Sequence, residues 1–173
     1  MLSDRPVIGI VFGGNSSEHE VSIKSARTIY NALRHLKNKE RYLARPIYID
    51  KSGYWHEYIF SESILFDNKD HLIFEERKGN LHNLSKMEDI DIWFPCLHGP
   101  NGEDGVIQGL FKLTGKPFVG SGVLGSALGM DKIAMKSVFK SYQLPQVPYI
   151  GLNSIDIQNN LYMKSIYEKI NEI

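Results

Sequence analysis

The strongest constraint on the fold is a pattern that the chain writes twice. Residues Val7 to Phe12, "VIGIVF", form a continuous apolar run that ends in Gly13-Gly14 and a polar stretch, Asn15 to Glu20. An amphipathic helical pattern follows at once, from Glu20 to about Leu36, with Ile23, Ala26, Ile29, Tyr30 and Leu33 at helical spacing and Arg27, Arg34 and Lys37 between them. The second copy is "DIDIWFPCL", Asp89 to Leu97, which runs into the glycine-rich loop "HGPNGEDG" and a helical face of Val106, Ile107, Leu110 and Phe111. A short apolar run without alternation is what a strand buried on both faces looks like. Strands alternating with helices through short loops give an α/β fold with a parallel sheet, and ligands of such sheets bind beyond the carboxyl ends of the strands. Both polar loops should therefore project from the same edge of the sheet.

The remaining segments fill in around this repeat. "ARPIYID" reads as a further strand, "GYWHEY" as a short one, and "GKPFVGSG" as another short strand with a glycine turn. Residues Ser61 to Ser85 lack a strong period, and irregular or edge structure is expected there. A third helix is expected from Asp131 to about Tyr142 with Ala134, Met135, Val138 and Phe139 inward. The prolines of "LPQVPY" then stop it, because each removes a backbone donor and pushes the preceding residue toward extended geometry. A domain boundary falls here or just before Met130, "QVPYIGLN" reads as an edge strand, and Asn159 to Ile170 reads as a helix carrying Tyr162, Ile166 and Ile170. The chain stops at Ile173 without a capping glycine or polar tail, which reads as a cut end.

Composition excludes several classes. A chain of 173 residues suits one ordinary domain, or one domain plus a piece of another. Twenty basic residues against twenty acidic ones leave no global field for nucleic acid or an anionic membrane. The longest apolar runs fall far short of the ~20 residues that span a bilayer, and "MLSDRP" carries an acid where a signal peptide would be basic and apolar. A cytoplasmic protein is expected. A single cysteine, Cys96, excludes an internal disulfide and reads as buried filler in "IWFPCL".

The two loops carry the chemistry. In the first, Ser17 and Glu20 fit a capping box, which leaves Glu18 and His19 for other work. Glu18 gains a little from the helix dipole, and Gly13 and Gly14 serve either the turn alone or the close approach of a ligand to the backbone. Neither a G-x-G-x-x-G dinucleotide fingerprint nor a phosphate loop is present, and a glutamate at a helix start repels phosphate and suits an ammonium group. The second loop adds His98, Glu103 and Asp104; the acids have capping roles available, and the histidine is open between a structural and a functional reading. No H-x-x-x-H or C-x-x-C spacing supports a closed metal site, so none is expected from these loops alone.

"GGNSSEHEVS" followed by "LHGPNGEDGVIQGLFKLTGKPFVGSGVLGSALGMDK" closely resembles the N-terminal part of D-alanine:D-alanine ligases of the ATP-grasp superfamily, from about Val7 to Tyr149. The D-alanine:D-lactate and D-alanine:D-serine ligases share much of the pattern. The resemblance implies a Rossmann-like substrate-binding (pre-ATP-grasp) domain over 1–129 and the opening of the central ATP-grasp domain over 130–173. It implies a reaction in which ATP, with Mg2+, phosphorylates one D-alanine carboxylate and the amine of a second D-alanine attacks the acyl phosphate, for peptidoglycan synthesis. It further implies that Glu18 contacts the ammonium group of the first D-alanine, that His98 lies beside that substrate's carboxylate, with Gly13 and Gly14 clearing space, and that Lys132 of "GMDK" approaches ATP. The family's phosphate-covering loop, its serine and tyrosine of the substrate site, its transition-state arginine and its acidic magnesium ligands would all follow Ile173. These 173 residues alone are therefore expected to be inactive, with a fraying C-terminal region. Pro100 and Asn101 stand at variable positions and fix no specificity; the acceptor and the oligomeric state, a homodimer included, stay open. A stand-alone Rossmann-like module binding an amino acid or nucleotide is the rival reading, and an NAD enzyme is disfavoured by the missing fingerprint.

Overall fold

The computed structural model describes residues 5–67, 87–158 and 160–170. A three-stranded parallel sheet has β1 (Val7–Gly13) in the centre, flanked by β2 (Leu43–Ile49) and β3 (Ile92–Pro95) in the order β2-β1-β3. Between the first two strands lie α1 (His19–Arg34) and α2 (Leu36–Arg41); α3 (Tyr58–Asp67) follows β2, and α4 (Val106–Leu113) and α5 (Val123–Met130) follow β3. The register pairs Gly13 with Ile49 and Val11 with Pro95, so all three strands end at one edge. Both polar loops leave from that edge, as the repeated pattern requires.

The central strand is continuous in apolar residues because both of its faces are covered. Ile8, Ile10 and Phe12 pack with Ile23, Ala26 and Tyr30 of α1 and Ile64 and Leu65 of α3. Val11, on the other face, joins Ile47, Ile90, Trp93, Ile107 and Phe111. Trp93 and Phe111 stack with ring centroids 4.9 Å apart. At about 1.5–3 kcal/mol for each fully buried large side chain, these two layers dominate the stability of the domain. Gly9 serves close packing here: a Cβ at that position would lie 2.9 Å from Ile90 Cγ2.

Several expectations are corrected. The capping box at Ser17 and Glu20 does not form: α1 begins at His19 after Glu18, whose side chain makes no cap hydrogen bond, the Ser16 hydroxyl accepts the Glu18 N–H at 3.2 Å, and Glu20 reaches out to Lys51 at 3.2 Å. "GYWHEY" is reduced to a single antiparallel bridge between Ile49 and Trp55, because α3 begins at Tyr58. Ser61 to Asp67 is helical rather than irregular; a helix with a buried serine on its inner side beside Ile64 and Leu65 shows no clean apolar stripe in sequence. Residues 68–85 of that expectation lie outside the described residues. "GKPFVGSG" contributes one parallel bridge, Trp93 to Phe118, and the helix α5 that follows carries no readable stripe in sequence, because Gly125, Ser126, Ala127 and Gly129 dilute its pattern.

The chain divides into two compact units, Met1–Met130 and Asp131–Ile173. The second contains α6 (Lys132–Ser141), α7 (Ser154–Gln158) and α8 (Asn160–Ile170). Asp131 caps α6 by accepting the Ile133 and Ala134 amides at 3.0 Å each. The expected inward face of α6 holds no buried residue, and Phe139 is exposed. "QVPYIGLN" is not a strand, since Pro148 interrupts a ladder and this unit has no strand among the described residues to receive one. No helix among the described residues is long and apolar enough to cross a membrane.

Candidate functional site

The site begins at the end of β1. Gly13 and Gly14 both take positive φ, 92° and 88°. A Cβ at Gly13 would sit 2.1 Å from the Ile49 carbonyl oxygen, so only glycine lets the Gly14 N–H reach that oxygen at 2.7 Å. The turn is then anchored from below by α1. Ser22, fully buried, accepts the Gly13 N–H at 2.8 Å and donates to the Cys96 carbonyl at 2.7 Å, tying the end of β1 to the end of β3. His19, 1% exposed, joins the Gly14 carbonyl through Nδ1 and the Tyr48 hydroxyl through Nε2 at 3.0 Å.

The second loop folds over the first. Ser16 donates to the His98 carbonyl at 2.8 Å, and Asn101 donates its side-chain amide to Asn15 at 3.1 Å. Gly99, at φ 70°, leaves room for the Glu18 carboxylate: a Cβ there would lie 2.7 Å from Glu18 Oε2. Glu18 and His98, far apart in sequence, thus share one corner. His98 is held by Ser25 of α1, 3.0 Å from Nε2, and its Nδ1 faces Glu103 at 3.9 Å. Glu103 also accepts the Gly99 N–H at 2.8 Å, and Asp104 accepts those of Asn101 and Val106 at 2.8 and 3.1 Å. The expected capping role of the two acids is thereby a loop-closing one. Gly105 passes so close to α5 that a Cβ would meet the Val123 carbonyl at 2.9 Å.

A groove of about 220 Å³ opens beside these loops, lined by Gly13, Gly14 and His98 together with Trp55, Leu97 and Ile107. Three of the expected site residues therefore face one cavity, whereas Glu18 is outside its lining and points at Gly99. The exposed Glu103 carboxylate faces the partly exposed His98 imidazole and the exposed Glu18 carboxylate lies against the neighbouring Gly99, an arrangement that suits a cationic head group. Lys132 is an exposed residue at the start of α6 in the second unit. Cys96 is buried at the root of the second loop, where burial pushes its thiol up to about 12 and removes it from nucleophilic chemistry. Sequence reasoning left out Ser16, Ser22 and Ser25. A signal for Ser22 and His19 was present: both fall on the inward stripe of α1 with Ile23, Ala26 and Tyr30, so polar side chains there had to find partners.

The family model described as the D-ala D-ala ligase N-terminus matches residues 7–121, a stretch that holds both loops. The chain belongs to the D-alanine–D-alanine ligase family. A D-alanine–D-alanine ligase from Prochlorococcus marinus (strain NATL1A) is 84% identical over all 173 residues, which cover 50% of that relative. The structure of the D-alanine-D-alanine ligase from Coxiella burnetii is 30% identical with a TM-score of 0.75, covering 95% of this chain and 49% of its own. A D-Ala:D-Ser ligase from Enterococcus faecalis is 29% identical with a TM-score of 0.72 over 95% of this chain and 49% of its own. The chain spans about half the length of the relatives it matches, and corresponds to the N-terminal part of such ligases. The family match includes Gly13, Gly14, Glu18 and His98; Lys132 lies beyond it.

Proposed function

We propose that this chain is the N-terminal half of an ATP-dependent D-alanine–D-alanine ligase that acts in the cytoplasm in peptidoglycan synthesis. The first domain, 1–129, binds the first D-alanine; the segment 130–173 opens the ATP-binding domain. The supporting observation is the corner where the Glu18 carboxylate lies against Gly99, next to His98. There Glu18 receives the substrate ammonium group and His98 stands beside its carboxylate, while the side-chain-free Gly13-Gly14 turn leaves the backbone open to the ligand. A carboxylate for an ammonium and a ring N–H for a carboxylate are matched charge-assisted hydrogen bonds, which orient the substrate as well as hold it.

Lys132 would face the phosphates of ATP, which supplies the phosphoryl group when bound; an exposed ammonium point charge fits that task. Magnesium is a different matter. Among the described residues no group of three or more His, Cys, Asp or Glu side chains is placed to hold a metal ion.

The test is ADP release by the full-length protein with D-alanine, D-lactate and D-serine offered as acceptors. D-alanine dependence is expected, and Glu18→Gln should raise the KM for D-alanine by about tenfold or more with a smaller change for ATP. An unchanged D-alanine dependence in Glu18→Gln would remove the ammonium role. Preference for D-serine would move the protein to the other acceptor class, which the Enterococcus faecalis neighbour represents.

A further inference from the structure

We propose that His19 is a positioning residue for the substrate-binding carboxylate of Glu18, holding the Gly13-Gly14 turn and the entry to α1 through one defined tautomer; this rests on the ligase reading above. Its burial and the use of both ring nitrogens set it apart from a core filler. The side chain is 1% exposed, Nδ1 meets the Gly14 carbonyl, and Nε2 meets the Tyr48 hydroxyl at 3.0 Å. A carbonyl oxygen only accepts, so Nδ1 carries the proton, and the Tyr48 O–H completes the pair by donating to Nε2.

The partner at Nε2 is itself fixed. Tyr48 is 3% exposed, its backbone N–H donates to Ser61 Oγ of α3 at 2.8 Å, and its ring lies 5.5 Å from that of Phe12 and 5.4 Å from that of His56. The same ring closes on the turn from the side, since a Cβ at Gly13 would be 2.9 Å from it. A rigid chain thus runs from α3 through β2 to His19 and ends on the carbonyl of Gly14, four residues before Glu18 and five before His19 itself. Ser22 secures the Gly13 N–H and Ile49 the Gly14 N–H, so His19 supplies the restraint on the carbonyl side of the turn. Glu18 directly precedes His19, and its carbonyl accepts the first helical N–H, from Ser22, at 3.0 Å. Pinning the ring at position 19 therefore fixes the backbone from which the Glu18 carboxylate reaches Gly99.

The experiment uses the full-length protein with His19→Leu, His19→Asn and Tyr48→Phe. Asn can present an N–H where Nδ1–H stands but cannot reach the Tyr48 hydroxyl; Leu can do neither. We expect His19→Leu to raise the KM for D-alanine about tenfold with the KM for ATP within twofold, and His19→Asn to recover most of that loss, because misplacing a binding group by an ångström costs that order of effect. Tyr48→Phe should fall between the two. Histidine 15N spectra of the unsubstituted protein should show His19 protonated at Nδ1 and not at Nε2. Equal loss toward both substrates, no recovery in His19→Asn, or an Nε2–H tautomer would each overturn the proposal. Absence of D-alanine-dependent ADP release in the unsubstituted protein would instead remove the ligase reading on which it rests, a failure distinguishable from the other three because it precedes any substitution.

Discussion

The two loops at the carboxyl edge of the sheet look alike in sequence and are built differently. The loop after β1 is anchored through buried side chains: Ser22 and His19, 0% and 1% exposed, hold the backbone of both glycines. The loop after β3 is closed by its own acids, with the Glu103 side chain 53% exposed and that of His98 31% exposed. Buried hydrogen bonds cannot be exchanged for water without leaving a desolvated group behind, whereas exposed ones can. The loop bearing Glu18 is accordingly a fixed platform. The loop bearing His98 is the adjustable half of the pair, held to the platform by Ser16, Asn101 and Ser25.

The largest test of this contrast is glycine substitution. Gly13→Ala should destabilise the full-length protein by at least about 3 kcal/mol, since a Cβ 2.1 Å from a backbone oxygen adds a clash to a left-handed backbone. Gly99→Ala clashes only with the end of the long Glu18 side chain, with Ser16 at ordinary contact distance, and should cost about 1–2 kcal/mol in the melt. It should also raise the KM for D-alanine by displacing that carboxylate. Equal melting losses for the two would erase the difference between platform and adjustable loop.

A smaller contrast separates two serines on one helix. Ser22→Ala leaves the Gly13 N–H and the Cys96 carbonyl short of a buried partner and should cost about 2–3 kcal/mol. Ser25→Ala, at the part-buried contact with His98, should shift stability by less than about 0.5 kcal/mol while altering D-alanine kinetics. Chemical denaturation of the two variants side by side decides it.

The acid range probes the support behind the platform. Asp50 sits 2.9 Å from His56 Nε2 beneath Tyr48, and although burial opposes its ionisation, hydrogen bonds from Ser52, His56 and the Tyr54 N–H outweigh this and hold its carboxyl below its ordinary value of 3.8. A depressed folded-state pKa contributes stability above the unfolded value and loses it as pH falls through the folded one. The Tm difference between the unsubstituted protein and Asp50→Asn should thus be constant from neutral pH down to about 5 and shrink below about 4. The smallest expected effect is chemical: with its thiol pushed up to about 12, Cys96 should label only as the protein unfolds. Fast labelling of the folded protein would show that the root of the second loop opens.

Much of the frame was readable in the sequence, for identifiable reasons. A central strand covered on both faces leaves an uninterrupted apolar run, so β1 and β3 stood out, and α1 declared itself by its period. α3 and α5 did not, because a helix with polar or small residues on its inner side carries no stripe to count. The capping box misled for a related reason: local spacing fits a cap, yet α1 begins at His19 with Glu18 before it, and Glu20 pairs with Lys51, distant in sequence. At the site, Glu18 and His98 were nameable from their motifs, whereas Ser25 became a partner of His98 only through the meeting of α1 with the second loop.

The sequence by itself determined that two strand–loop–helix units share a sheet, that their glycine loops leave one edge, and which family's motifs those loops carry. Tertiary structure decided how the loops divide their labour. Burial and long-range partners settle that question, and neither is a property of any stretch read alone: the hydroxyls of Ser22 and Ser25, three residues apart on one helix, do opposite jobs because one meets the fully enclosed ends of two strands and the other meets a half-open loop.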